Sequence, residues 1–234
     1  MKASIVITNY NYGRYLGRAI QSAQSQKFME GDLEIIVVDD GSTDNSLRVI
    51  DAYAEGVRVI RHETNRGLPA AINSGIRASR GMYVIRLDAD DWLNRYACFF
   101  LSFFMDQNKD IGFVWPDYHI VDQKERVVDR VSEPQGAGVM FRKLLLVDVG
   151  LYDEEMLSHE DKDILIRSMQ RVPGYHLRVP LYRYYRHDAN MTSNGDLMAH
   201  YEKRLRDKHS DVGGQLPVEQ NPGFVMPGWW TSSE

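Results

Sequence analysis

Cysteine is nearly absent from this sequence: Cys98 is the only one in 234 residues. That excludes an internal disulfide framework and a thiolate metal site within one chain, and it points to a reducing compartment. Flanked by Ala97 and Phe99, Cys98 reads as a small buried hydrophobe rather than a nucleophile. Long apolar runs are also missing, and no stretch approaches the ~18 to 20 apolar residues of a membrane span. Met1-Lys2-Ala3 runs straight into a strand-like segment, so no signal peptide is expected and the expected location is cytoplasmic. Positive charge is not in excess, with 28 Lys and Arg against 33 Asp and Glu and a net charge of −5. A phosphate backbone needs a basic face, so nucleic acid is not an expected partner. The basic segment Lys203 to Lys208 is the local exception and reads as a solvated helix face. A Gly-x-x-x-x-Gly-Lys-Ser/Thr loop is absent, which rules out P-loop phosphoryl transfer. Gly13 and Gly17 are separated by Arg14-Tyr15-Leu16 and do not make the dinucleotide fingerprint.

What is present is alternation. Strand-like runs at 3–8, 33–38, 57–60 and 82–87 are separated by helical patterns at 15–26, 44–54 and 68–79. Each strand is a nearly continuous apolar run, as expected of a parallel sheet covered by helices on both faces. Ser42-Thr43-Asp44-Asn45 is expected to cap the second helix, and Arg80-Gly81 to close the third. Beyond Asp91 the pattern becomes mixed α+β. A helix is expected over 93–107, short strands at 112–115, 118–121, 127–131, 175–179 and 181–186, and a helix over 160–170. Trp115 and Tyr118 are expected to be aromatic core. A polar helix begins near Leu197 and gives way to a Gly- and Pro-rich tail.

In an open parallel sheet, ligands bind beyond the carboxyl ends of the strands. Thr8 to Tyr12, Asp39 to Ser42, Thr64 to Gly67 and Asp88 to Asp91 all fall there. Crowded carboxylates in such a place repel one another unless protons, cationic side chains or a metal offset the charge. Oxygen ligands suit a hard ion, Mg²⁺ or Mn²⁺, with positions left for phosphate oxygens. In a nucleotide diphosphate site, Asp40 is placed to accept from a base N–H, Tyr10 to stack on the ring, Asp88 to accept from ribose hydroxyls and Asp90 to hold the ion. Turn-capping roles for Asp39, Asp88 and Asp91 are the plain alternative.

Four segments carry a resemblance: Val6 to Asn11, Ile35 to Asp44, Asn65-Arg66-Gly67 and Leu87-Asp88-Ala89-Asp90-Asp91. In that order they resemble the family 2 glycosyltransferases of inverting type. The resemblance implies a GT-A fold, with a Rossmann-like, mostly parallel central sheet flanked by helices and a mixed α+β acceptor-side half. It implies one catalytic domain over 1–192, with a nucleotide-sugar half at 1–91 and an acceptor half at 92–192, then a C-terminal helix and tail over 193–234. The nucleotide site so implied comprises Thr8, Tyr10, Asp39, Asp40, Asn65, Arg66, Asn73, Asp88 and Ala89. Ile72 stands where the family often has Arg, and Arg66 is the candidate to replace it.

The same resemblance reaches the second half. His159-Glu160-Asp161 looks like the family's Glu-Asp motif and nominates Asp161 as general base, with Glu160 and Asp163 as rivals. Gly136-Ala137-Gly138 resembles the loop that lets donor and acceptor sugars approach the backbone. Tyr185 to Thr192 resembles the C-terminal Arg-x-His signature, whose His187 would join Asp90 on Mn²⁺ or Mg²⁺. The implied reaction moves a sugar from a nucleotide diphosphate sugar, UDP type favoured, to a hydroxyl of a saccharide or lipid-linked saccharide. A sugar nucleotidyltransferase would need a Gly-rich basic loop that Thr8 to Tyr12 does not supply, and a nucleotide-sugar-binding protein without transfer stays open. Phe224 to Trp230 suggests peripheral contact with a membrane or partner, with packing onto the domain as the alternative.

Overall fold

The computed structural model describes residues 1–28, 31–134, 136–187 and 195–210; the expected tail and residues 188–192 of the C-terminal signature lie outside them. The first half follows the alternation: β1 (Ala3–Asn9), α1 (Gly13–Gln24), β2 (Leu33–Asp39), α2 (Ser46–Ala52), β3 (Val57–Arg61), α3 (Leu68–Ala78) and β4 (Tyr83–Asp88). β5 (Trp92–Leu93), α4 (Ala97–Gln107), β6 (Phe113–Val121), β7 (Val127–Val131), β8 (Met140–Arg142), α5 (Lys143–Asp148), α6 (Glu160–Met169), β9 (Gly174–Tyr185) and α7 (Gly195–Lys208) follow.

Eight strands run in the order β3-β2-β1-β4-β8-β6-β9-β5, and β7 pairs with β6. β3, β2, β1 and β4 are parallel neighbours, β8 is antiparallel to both β4 and β6, and β6 is parallel to β9. Strand alternation divides the core into two layers. Ile5 and Ile7 face Leu16 and Ile20 of α1 and Leu101 of α4, whereas Val6 and Val38 face Ala71 and Ile76 of α3. Burying both faces is what makes these strands continuous apolar runs. Among the described residues no helix is long and apolar enough to cross a membrane. Cys98, Trp115 and Tyr118 are buried.

Several local expectations are corrected. The helix expected from Leu93 begins at Ala97, because Trp92 and Leu93 pair antiparallel with Arg183 and Tyr182 of β9. The pairs of short strands expected on either side of Pro116 and of Pro180 are continuous as β6 and β9. Pro116 lies opposite Leu177 and Pro180 opposite Asp117, on either side of a shift in register, where the ladder needs fewer N–H donors. β8 and α5 were not expected. α2 has no side-chain cap from Asn45; Asp44 serves its first turn instead, accepting from Ser46 N and Gly13 N at 2.9 Å each. α3 stops at Ala78, with Ser79 already extended.

Asn73, expected at the nucleotide, is a clamp instead. It is 1% exposed on α3, its Nδ2 donates to Tyr152 O (2.9 Å) and Glu154 Oε1 (3.0 Å), and its Oδ1 accepts from Tyr152 N (2.9 Å). Every polar atom of the amide is occupied in tying α3 to the segment before α6. Asp163 is used in the same way: Oδ2 accepts from Arg167 Nε and Nη2 (2.9 and 2.5 Å), while Oδ1 takes Lys208 Nζ and His209 Nε2 (both 2.8 Å), fastening α7 to α6. Burial pushes the Asp163 carboxyl up, but these hydrogen bonds outweigh it and hold it below the usual range. Replacing Asn73 by Ala leaves Tyr152 N and O unsatisfied in the interior, and a loss of about 2 to 3 kcal/mol is expected in urea denaturation. Nucleotide affinity per folded molecule should stay unchanged by calorimetry.

Candidate functional site

The site begins with strand register. Asn9 sits opposite Asp39 on one side of β1, and Thr8 sits opposite Asp88 on the other. β1 and β4 flank the point where strand order reverses, and the crevice beyond their carboxyl ends is where such sheets bind ligands. Asp39, Asp40, Asp88, Ala89, Asp90 and Asp91 therefore share one edge. Tyr10 stands beside them, half exposed.

The two aspartates ending β2 are largely engaged by the protein. Asp39 Oδ1 accepts from Asn9 Nδ2 at 2.8 Å, and its Oδ2 from Ser42 N at 3.3 Å. Asp40 Oδ1 meets His62 Nδ1 at 2.6 Å and Arg66 N at 3.0 Å, and its Oδ2 accepts from Gly67 N at 2.9 Å. His62 in turn contacts Ser74 Oγ through Nε2 at 2.9 Å. Asp40 thus holds the 64–67 loop against the sheet, and only Oδ2 keeps an acceptor position for a base. Gly41 makes the turn with φ +75°, and a Cβ there would meet the Thr64 backbone at 2.6 Å. In the loop itself, Asn65 Oδ1 accepts from Gly67 N at 2.8 Å, and the exposed Arg66 guanidinium faces Glu154 at 3.7 Å.

The DxD carboxylates have different surroundings. Asp88 is gripped by Arg86 Nε (2.6 Å) and Nη2 (2.9 Å), yet its side chain remains 26% exposed toward the crevice. Ala89 is buried. Asp90 Oδ2 lies 2.9 Å from His187 Nε2, and burial together with the Asp88 charge raises the Asp90 carboxyl, while His187 opposes the rise. Tyr15 stacks on the His187 ring at 4.6 Å and Tyr12 tilts against it, so the imidazole is fixed by an aromatic wall. Asp91 is buried, accepts from Tyr182 OH (2.6 Å) and Tyr185 N (2.8 Å), and is pushed well above the carboxylate range by burial and by Asp90 and Asp88. Its work is to join β4 to β9.

No group of three or more His, Cys, Asp or Glu able to hold a metal occurs among the described residues. The Asp90–His187 pair nevertheless fits a hard divalent ion. Adjacent ligands of an octahedron with bonds of ~2.1 Å lie roughly 3 Å apart. The two donor atoms are 2.9 Å apart, with phosphate and water left to complete the shell.

Opposite this edge is the first turn of α6. Glu160 is buried, accepts from Arg86 Nη1 at 2.9 Å, and is raised to about 7 by burial and by Asp161 despite the guanidinium. Asp161 is half-buried, its Oδ2 accepting from Gly136 N at 3.3 Å and its Oδ1 from Lys162 N at 2.8 Å. A Cβ on Gly136 would lie 2.4 Å from that of Asp161. The sequence reading missed Arg86, whose signal was a lone cation within an apolar strand. It also missed His62, which has no such signal, and the Tyr12–Tyr15 wall.

Known proteins resemble this chain in sequence and in fold. The family model for glycosyl transferase family 2 matches residues 4–150. An uncharacterized glycosyltransferase of Nostoc sp. is 39% identical over 137 residues, covering 56% of this chain and 41% of the relative. The Staphylococcus aureus poly(ribitol-phosphate) beta-N-acetylglucosaminyltransferase TarS is 31% identical over 111 residues, 46% of this chain and 19% of TarS. The chain therefore spans well under half the length of these relatives. The structure of TarS 1-349 with UDP-GlcNAc superposes with a TM-score of 0.71 at 21% identity, over 88% of this chain and 67% of that one. A Pyrobaculum calidifontis mannosyltransferase with GDP-Man and Mn²⁺ gives a TM-score of 0.67 at 16% identity, over 91% and 62%. The fold is GT-A, and the chain belongs to glycosyl transferase family 2.

Proposed function

We propose that this protein transfers a sugar from a nucleotide diphosphate sugar, UDP type favoured, to a hydroxyl of a saccharide or lipid-linked saccharide, with inversion at C1. The observation that carries the reading is that Asp88 on the donor edge and Glu160 in the α6 first turn, which also bears Asp161, bind one buried guanidinium, Arg86. TarS and the mannosyltransferase, which share the fold, are bound to UDP-GlcNAc and GDP-Man in their structures, and this supports a nucleotide-sugar donor.

Tyr10 offers a ring face to the base, beside Thr8, Asp39 and the remaining acceptor position on Asp40. Asp88 accepts from the ribose hydroxyls with the oxygen lone pairs that Arg86 leaves open. Asn65 shapes the loop through its turn, and Arg66 brings positive charge to the mouth. Asp90 and His187 would hold Mn²⁺ or Mg²⁺, which when bound offsets negative charge on the departing diphosphate.

An acceptor hydroxyl is a poor nucleophile until a base takes its proton as C1 is attacked. Of the three carboxylates at the start of α6, Asp163 is occupied by Arg167, Lys208 and His209, and Glu160 is buried against Arg86. Asp161 is the one open toward solvent, steadied by Gly136 N, and we assign it as the base. Displacement from the face opposite the nucleotide needs one such base and no protein nucleophile, which accounts for inversion.

Asp161→Asn should lower kcat for transfer by about 10² to 10⁴-fold while UDP affinity stays within about threefold; turnover near wild type would remove the base assignment. Inversion itself is checked by the anomeric configuration of the product in NMR. Asp90→Ala should abolish the tightening of UDP binding by Mn²⁺ in calorimetry, and undiminished Mn²⁺ dependence would move the ion elsewhere. Glu160 has a definite pH signature. Its folded-state pKa, about 7, lies above the ordinary carboxylate value, so the folded protein holds this proton more tightly than the unfolded chain. The stability it contributes is complete below about pH 4.5 and is lost as pH rises through 7. Glu160→Gln should flatten that segment of the curve of stability against pH, measured by urea denaturation.

A further inference from the structure

Arg86 is the only charged residue in the apolar run Tyr83–Leu87 of β4, and it is 8% exposed. All three guanidinium nitrogens are bound to carboxylates: Nε and Nη2 to the two oxygens of Asp88, Nη1 to Glu160 Oε1. Its carbonyl accepts from Gly138 N at 2.9 Å, and a Cβ on Gly136 would come within 3.0 Å of Nη1. One residue of β4 thus touches the donor edge, the first turn of α6 and the loop that steadies Asp161.

Stability alone does not account for such a group. A buried cation with two carboxylates carries a large desolvation cost, and well-packed apolar residues in its place are often as stable or more so. What the planar fork offers is geometry. Two parallel hydrogen bonds fix its orientation on Asp88, and the third nitrogen then sets where Glu160 must lie. A lysine ammonium carries the charge without the fork.

We propose that Arg86 is a positioning residue that sets the spacing between the ribose-binding carboxylate Asp88 and the base Asp161, acting through Glu160. This rests on the assignment of Asp161 as base. Cutting the Glu160 side of the fork leaves both hydrogen bonds on Asp88 in place and displaces the base from its line of approach. A misplacement of about 1 Å costs on the order of 10² in rate. The loss therefore falls on kcat rather than on nucleotide affinity.

The test uses the full chain with Mn²⁺, UDP as the binding probe, and an acceptor on which the wild type turns over. Arg86→Lys and Glu160→Ala should each lower kcat by about 30-fold or more, and in Glu160→Ala, which keeps both hydrogen bonds on Asp88, UDP affinity should stay within about threefold. The double variant should be no slower than the slower single one, because both cut the same link. Glu160→Ala cuts only the base-side contact, so it decides the matter alone where Arg86→Lys does not fold. Wild-type kcat in these variants, kcat and UDP affinity falling in the same ratio in Glu160→Ala, or losses that multiply in the double variant would each overturn the positioning role. Asp161→Asn separates the two claims. Full turnover in that variant sinks the base assignment and this role with it, whereas its expected loss beside normal kcat in Arg86→Lys sinks the positioning role alone.

Discussion

The register of three parallel strands is the constraint on which the site depends. With β1 between β2 and β4, Asn9 is level with Asp39 and Thr8 with Asp88, so each strand delivers its polar ending to the same edge. Side chains alternate with a period of two, and a slip of one residue would send Ile5 and Ile7 to the layer occupied by Val6 while turning Asp88 away from the crevice. The apolar halves of these strands therefore do more than fill a core. Because Ile5 must face α1 and Val6 must face α3, no other register buries both layers, and the carboxylates cannot be placed elsewhere.

Given that edge, the division of its carboxylates follows from which of them the protein itself engages. Asp40 is held by His62 and two backbone amides, and Asp91 by Tyr182 OH and Tyr185 N. Unpaired buried carboxylates are costly, and these partners are what make the positions tenable. Asp88 and Asp90 differ in kind. Asp88 retains access to the crevice although its charge is matched by Arg86, and Asp90 meets an imidazole whose ring is fixed by Tyr12 and Tyr15. The internal pairs hold the loops still, so that Asp88 and Asp90 keep a fixed relation to each other.

How far the sequence could be read depends on how local each cause is. The alternation from β1 to β4 was legible because a strand buried on both faces announces itself as an apolar run, and because turns such as Asp40-Gly41-Ser42 punctuate the runs. The second half was harder. β8 has three residues, too few to show a pattern, and Pro116 and Pro180 read as strand breaks although both lie at the register shifts of one long pairing. The clamp made by Asn73 is hidden from the sequence for a related reason. Its partners Tyr152 and Glu154 lie 79 and 81 residues away, and nothing near Asn73 reveals that its amide is already satisfied. Partner choice across such separations is a property of the folded chain.

The same reasoning explains why acceptor chemistry cannot be assigned from the donor edge alone. A carboxylate cluster at strand ends suits a nucleotide, and the inversion proposed above puts the base on the opposite side of the reacting carbon. The proposed base lies on α6, an element that begins 72 residues beyond the end of β4. Its first turn holds three acids, and two have internal partners: Asp163 fastens α7, and Glu160 meets Arg86. Each of those contacts anchors the turn from a different direction, Asp163 toward the C-terminal helix and Glu160 toward the sheet. The turn is thereby held at both ends of its acidic run, and Asp161, between them, is left half-buried.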